Sequence, residues 1–187
     1  ANACVLHYRA DEAPVRDGEL VLIDAACELD GYASDITRTF PANGKFSGPQ
    51  RALYDLVLAA QEAAIAATRA GARFTDPHDA SVQVLAQGML DVGLLDKNKV
   101  GLLGDVIEKR AYFQFYMHRT GHWLGRDVHD VGDYYPEKKS RALVPGMVIT
   151  VEPGLYVAAD DATAPEGLRG VGVRIEDDVL VTAEGNE

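Results

Sequence analysis

Two helix-like blocks lie in the middle of this chain with strand-like runs on either side, and this order restricts the fold more than any other feature. From about Pro49 to Ala70 apolar residues recur at helical spacing in an alanine-rich background, and Gly71 marks the stop. A second block runs from about Pro77 to Val92, with Asp76 as a candidate N-cap and Gly93 just beyond its end. His78 falls in its first turn and reads as a solvated or capping residue. Residues 4–8, 20–26 and 32–40 are strand-like before the helices, and 128–130, 147–152, 155–158 and 171–182 after them. Residues 94–110 predict a connecting loop with a short helix. The order describes an α+β domain with a mostly antiparallel sheet.

The 187 residues suffice for one domain with a substantial core, and we read 1–187 as a single domain. A formal charge of −11, without any lysine and arginine cluster, argues against nucleic acid or an anionic membrane surface as partner. No apolar run reaches the roughly 18 residues of a membrane span. Cys4 and Cys27 are too few for a disulfide framework and fit no CxxC metal pattern, so two reduced thiols and a cytoplasmic location are expected. The chain starts without Met, in what reads as mid-strand, and stops just after another strand. It therefore reads as a piece of a longer protein.

Asp30-Gly31 is a strong hairpin-turn dipeptide. With these two as the loop, opposed positions sum to 61, so 24 faces 37 and 26 faces 35. Asp24 and Asp35 then share a face as diagonal neighbours, roughly 7–8 Å apart at the backbone, and both carboxylates can reach one centre. A bulge would break this parity. Asp24 ends an apolar run, where a carboxylate is costly unless paired or coordinating a cation. For Asp24 alone, turn hydrogen bonding and ligation both stay open.

The stretch MHRTGHWLGRDVHDVG, Met117 to Gly132, holds three of the five histidines. Histidine is the commonest metal ligand and the usual proton carrier near neutral pH. Glu152 closes a strand pattern before Pro153-Gly154, while Arg174 and Glu176 share a strand face. Taken singly, a surface ion pair explains those last two. Jointly, Asp24, Asp35, His122, Glu152 and Glu176 put a hard-cation ligand near each of several strand ends. Four carboxylates and an imidazole suit Mn²⁺, Fe²⁺, Co²⁺ or Zn²⁺, and that much negative charge needs two dications. Such a pair, about 3.5–4 Å apart, can hold a bridging hydroxide and polarise a carbonyl, which implies amide hydrolysis.

These residues resemble the pita-bread-fold metallopeptidases, most closely the aminopeptidase P (Xaa-Pro aminopeptidase) branch. The matching pieces are HYRADEAPVRDGELVLIDAACELDGYASDITRTFPANGKFSGPQRALYDLVL, MHRTGHWLGRDVHDVG, LVPGMVITVEPGLYV and RGVGVRIEDDVLVTAEGNE, in the family's order from His7 to Glu187. The resemblance implies a curved, mostly antiparallel sheet with helices on its outer face. It also implies two metals, usually manganese, held by Asp24, Asp35, His122, Glu152 and Glu176, with Asp35 and Glu176 bridging. Glu152 would double as proton shuttle beside the metal-bound hydroxide. His118 would lie on the substrate side, His129 would stabilise the tetrahedral intermediate, His7 and Tyr156 would line the pocket, and Arg174 would hydrogen-bond within the site. The substrates implied are peptides with proline in second position, and the parent would be a dimer or tetramer. One departure is that the family's separate N-terminal domain and the start of the catalytic domain are absent here.

Prolidase, which cleaves Xaa-Pro dipeptides, shares nearly the whole constellation. Methionine aminopeptidase fits less well, because His118 and Arg174 match the proline-specific branch. A catalytically dead module that binds peptides or proteins is the reading from another class, and it is disfavoured by the completeness of the ligand set.

Overall fold

The Asp30-Gly31 turn sets the register of the first half of the molecule. In the computed structural model, which describes every residue except Ala1, Arg9, Asp11 and the Ala3 side chain, Asp30 and Gly31 both have left-handed backbones, with φ of 53° and 81°. That is the requirement of a two-residue hairpin loop whose twist matches its strands. Strand β1 (Leu20–Ala25) pairs antiparallel with β4 (Ile36–Pro41), and β2 (Glu28–Leu29) with β3 (Tyr32–Ala33). Leu29 faces Tyr32 and Asp24 faces Thr37, so the sum of 61 holds from the turn to the far strand. Residues 34 and 35 interrupt the expected 32–40 strand. The Ser34 amide still donates to the Cys27 carbonyl at 2.9 Å, but the Cys27 amide turns to the Ser34 hydroxyl at 3.1 Å and the Asp35 amide to the Asp178 carboxylate at 3.1 Å, which interrupts the ladder.

Helix α1 (Gly48–Ala67) opens with a capping box: Ser47 accepts from the Gln50 amide, and the Gln50 side chain accepts from the Ser47 amide. Helix α2 (Asp76–Asp91) follows. Asp76 is not its N-cap; Thr75 holds that position, and the Asp76 carboxylate is taken by the Arg73 amide and Nε at 2.8 and 2.7 Å. The 94–110 region holds two short helices rather than one, α3 (Lys97–Val100) and α4 (Leu103–Glu108). No helix among the described residues is long and apolar enough to cross a membrane.

Four more strands complete the sheets: β5 (Val148–Val151), β6 (Gly154–Tyr156), β7 (Gly172–Arg174) and β8 (Asp177–Leu180). β5 pairs with β8 and β6 with β7, again antiparallel. The expected 171–182 strand is thus split at Ile175 and Glu176, because Glu176 leaves β7 to bridge Thr37 of β4. Two expected strands are absent. Residues 4–8 follow a short turn of 3₁₀ helix, closed by Val5 N donating to Asn2 O at 2.8 Å. Residues 128–130 bend back on the preceding segment, with the Asp130 amide donating to Trp123 O at 3.0 Å.

Strand alternation sorts the side chains. Leu155, Val173 and Ile175 are buried with Leu53, Val57 and Ala60 of α1 and Val82, Leu85 and Met89 of α2. Each fully buried large side chain contributes about 1.5–3 kcal/mol relative to exposure. Their neighbours Tyr156, Arg174 and Glu176 point the other way by the period of two, and there they build the site.

Candidate metal centre and active site

Three chain segments meet where β4, β5 and β7 approach. The bridge between Thr37 and Glu176, with the Glu176 amide donating to Thr37 O at 3.1 Å, draws the two halves of the chain together. The 120–124 segment runs beside β5: Thr150 N donates to His122 O at 3.0 Å, and Glu152 N to Thr120 O at 2.7 Å. Gly121 allows that closeness, since a Cβ there would stand 1.9 Å from the Thr150 carbonyl oxygen. His122 and Glu152 are thereby set side by side although 30 residues separate them in sequence.

Ligand-type atoms of Asp35, His122 and Glu176 all lie within 4.8 Å of one another. His122 Nε2 is 3.4 Å from Asp35 Oδ2 and 3.6 Å from Glu152 Oε1. Its Nδ1 faces the Trp123 carbonyl at 3.0 Å and therefore carries the proton, leaving the Nε2 lone pair aimed at the carboxylates. Asp24 stands slightly apart, with Oδ2 held by Arg174 Nη2 at 2.6 Å. That pairing answers the burial of Arg174, only 5% exposed, which needs a counter-charge.

The charge state of this cluster fits a cation. Burial, then the nearby Asp24, pushes Asp35 up to about 6. Burial, then Glu176, pushes Glu152 up to about 8. Glu176 rises to about 7 through burial, against the opposing pull of its hydrogen bond from Thr37. Buried carboxylates that repel one another hold protons, and divalent ions relieve both burdens. The oxygen-rich set with one correctly tautomerised imidazole is chemically suited to Mn²⁺ and similar ions.

A cleft of about 510 Å³ opens beside the cluster, lined in part by His7, Asp24, His118, His122, His129, Glu152 and Arg174. His129 is exposed and stands edge-on to His122, ring centroids 4.2 Å apart. His7 is exposed on the cleft. His118 is engaged at both nitrogens: Nδ1 donates to the Arg119 carbonyl at 2.8 Å, and Nε2 accepts from the Tyr156 hydroxyl at 2.8 Å. Tyr156 in turn accepts from Arg174 Nη1 at 3.3 Å. Burial, outweighing the Arg119 carbonyl bond, lowers His118 to about 4, so its imidazole is neutral.

The sequence matches the profile of metallopeptidase family M24 over residues 1–183. The chain belongs to that family. It is 53% identical to the Xaa-Pro aminopeptidase of Haemophilus influenzae, covering 100% of this chain and 42% of that protein. With the Escherichia coli Xaa-Pro aminopeptidase it is 50% identical, covering 100% of this chain and 41% of that one. Among solved structures it superposes on Pseudomonas aeruginosa aminopeptidase PepP with a TM-score of 0.96 at 54% identity, over 100% of this chain and 41% of that one. It superposes on E. coli aminopeptidase P with the inhibitor Pro-Leu at 0.93 and 49% identity, over 100% of this chain and 41% of that one. The fold is therefore the pita-bread fold of these enzymes, and the chain spans about two fifths of their length.

Around this cluster lie residues without an expected role. Thr37 is fully buried; its hydroxyl donates to Glu176 Oε2 at 2.5 Å and accepts from Arg174 Nε at 3.2 Å. Asp35, Thr37 and Thr39 are polar residues buried on one strand face, an alternation that could have flagged them. Thr150 Oγ1 accepts from the His122 amide at 3.1 Å. His78, expected to be solvated or capping, is half-buried, with Nδ1 2.9 Å from the hydroxyl of Thr120. Nothing in its local sequence reveals that contact across 42 residues.

Proposed function

We propose that the parent protein is a dinuclear metal-dependent aminopeptidase that removes the N-terminal residue from peptides with proline in second position. The observation that carries this reading is the convergence of Asp35, His122 and Glu176 within 4.8 Å, beside a cleft lined by Glu152, His118 and His129. Residues 1–187 act as its single catalytic domain.

Asp24, Asp35, His122, Glu152 and Glu176 would hold two divalent ions, with Mn²⁺ the expected pair and Co²⁺, Zn²⁺ or Fe²⁺ the alternatives. When bound, these supply Lewis acidity and a water of lowered pKa. Glu152, half-buried on the cleft, takes a proton on its carboxylate and returns it to the departing prolyl nitrogen. His129 offers an N–H to the carbonyl oxygen as negative charge gathers there. His118, saturated by Tyr156 and the Arg119 carbonyl, acts by orienting that wall rather than as a free donor. Arg174 ties Asp24 to Tyr156, so that both sides of the cleft share one guanidinium. His7 bounds the cleft near the scissile bond.

The Xaa-Pro aminopeptidase relatives and the Pro-Leu complex of E. coli aminopeptidase P support this substrate class. The unpaired thiols of Cys4 and Cys27 support a cytoplasmic setting. The parent is expected to be a dimer or tetramer. The test is to supply the full-length protein, loaded with Mn²⁺, with Xaa-Pro-Yaa and with Xaa-Pro. Cleavage of the tripeptide supports the aminopeptidase; cleavage of the dipeptide alone makes it a prolidase. A folded protein that takes up no divalent ion under saturating Mn²⁺ would be a binding module instead.

A further inference from the structure

We propose that Arg119 is a specificity-determining residue that receives a carboxylate carried by the peptide on the leaving-group side of the scissile bond. This deepens the peptidase reading above and rests on it.

Among the described residues, two guanidiniums line the cleft, those of Arg119 and Arg174. Arg174 is buried and committed to Asp24 and Tyr156. Arg119 is exposed, and among the described residues no carboxylate lies within 4.0 Å of it. It is held by an aromatic ring instead. Its guanidinium carbon lies 5.5 Å from the centroid of Tyr135, and Nη1 donates to the Tyr135 hydroxyl. Tyr135 is itself fixed: its amide donates to Asp133 Oδ1 at 2.8 Å and its carbonyl accepts from the Lys138 amide at 3.0 Å.

A cation–π contact and one hydrogen bond leave most of the guanidinium's donors unused. Such a fork, already ordered, matches a planar carboxylate and loses little side-chain freedom on binding it. The charges around the cleft also give a peptide its direction. Arg119, exposed at the cleft, repels its ammonium end and draws its carboxylate end. Arg119 directly follows His118, and both residues line the same cleft. In a tripeptide Xaa-Pro-Yaa the terminal carboxylate lies one residue past the proline, and in longer peptides an acidic side chain can take its place.

The test uses the full-length, Mn²⁺-loaded protein and three peptides: Xaa-Pro-Leu, its C-terminal amide, and Xaa-Pro-Glu amide. The expected result is a KM about tenfold lower for the free acid than for the amide, with kcat the same for both, an exposed charge-assisted contact of about 1.4 kcal/mol. In Arg119→Gln that KM ratio falls to about one, and Arg119→Lys restores part of it. Recovery by Xaa-Pro-Glu amide extends the site to side-chain carboxylates; no recovery restricts it to the chain end. A ratio near one in the unmutated protein, or one unchanged in Arg119→Gln, overturns the proposal. Calorimetric binding of Pro-Leu against Pro-Leu amide reads the same ratio without turnover. Failure of cleavage with that ratio intact would therefore count against the peptidase reading and not against Arg119.

Discussion

Replacing Thr37 with valine deletes one buried hydroxyl and leaves the shape of the side chain nearly intact, which isolates what that hydroxyl does for Glu176. The hydroxyl donates to Glu176 Oε2 at 2.5 Å and accepts from Arg174 Nε at 3.2 Å. A hydrogen bond to a charged group contributes about 1.5–3 kcal/mol, but these two share one oxygen. Arg174 Nε also lies 4.0 Å from Glu176 Oε2 and can take up part of the loss. For the metal-free protein at pH 8, where Glu176 is ionised, the expected cost is thus about 3 kcal/mol. At pH 5.5 burial keeps Glu176 protonated, since its pKa is held at about 7. The Glu176 bond is then between neutral groups while the bond from Arg174 stays charge-assisted, and the loss costs about 2 kcal/mol. The sign follows from linkage. The hydroxyl favours the ionised form, so its removal raises the folded pKa further, and stability is lost as pH rises through that value. Urea unfolding of metal-free protein at both pH values measures the difference. Thr37→Ser keeps the hydroxyl and loses a methyl, at about 1 kcal/mol regardless of pH. If Thr37→Val costs the same at both pH values, or no more than Thr37→Ser at pH 8, the hydroxyl does not serve Glu176. Mn²⁺ affinity, titrated by calorimetry, should fall about 10- to 100-fold in the valine variant.

Other outcomes are expected on the same grounds. Glu152→Gln should fold normally yet lose at least about a hundredfold in turnover of Xaa-Pro-Yaa, and near-normal rates would remove Glu152 from its role. Asp35, Glu176 and Glu152 have folded pKa values raised to about 6, 7 and 8. The stability of the metal-free protein should therefore decline as pH rises from about 5 to about 8, and saturating Mn²⁺ should flatten the decline; a rise over that window contradicts it. Gly121→Ala puts a Cβ 1.9 Å from the Thr150 carbonyl oxygen and forces the 120–124 segment off β5. A loss of about 3 kcal/mol is expected, seen as a Tm lower by about 10 °C, and an unchanged Tm would mean the segment is free to move. Tyr156→Phe breaks the link between His118 and Arg174 and should lower kcat more than it raises KM, as steady-state kinetics would reveal.

Local chemistry carried much of the architecture. Asp30-Gly31 gave the first hairpin its register because both residues readily take the left-handed backbone that closes this two-residue loop, and that register holds at Asp24 and Thr37. The helical spacing around Leu53 and Leu85 located α1 and α2. The errors fell where a short apolar pattern lacked a partner strand: Cys4 to Tyr8 closes a turn, and Val128 to Asp130 folds back on Trp123. A strand is a pairing, and no residue reports its partner from its own neighbours.

By itself the sequence determined the types of residue available to a site, four acids and a histidine near strand ends, because residue chemistry needs no fold to be read. Tertiary structure alone decided which of them share a centre and which are held back. It brought Asp35, His122 and Glu176 within 4.8 Å through the Thr37–Glu176 bridge and the glycine-tight approach of 120–124 to β5. It also turned Asp24 to Arg174, occupied both nitrogens of His118, and left Arg119 without a carboxylate partner among the described residues. Those assignments depend on distances between segments far apart in the chain, which burial and hydrogen bonding fix only when the whole core is assembled.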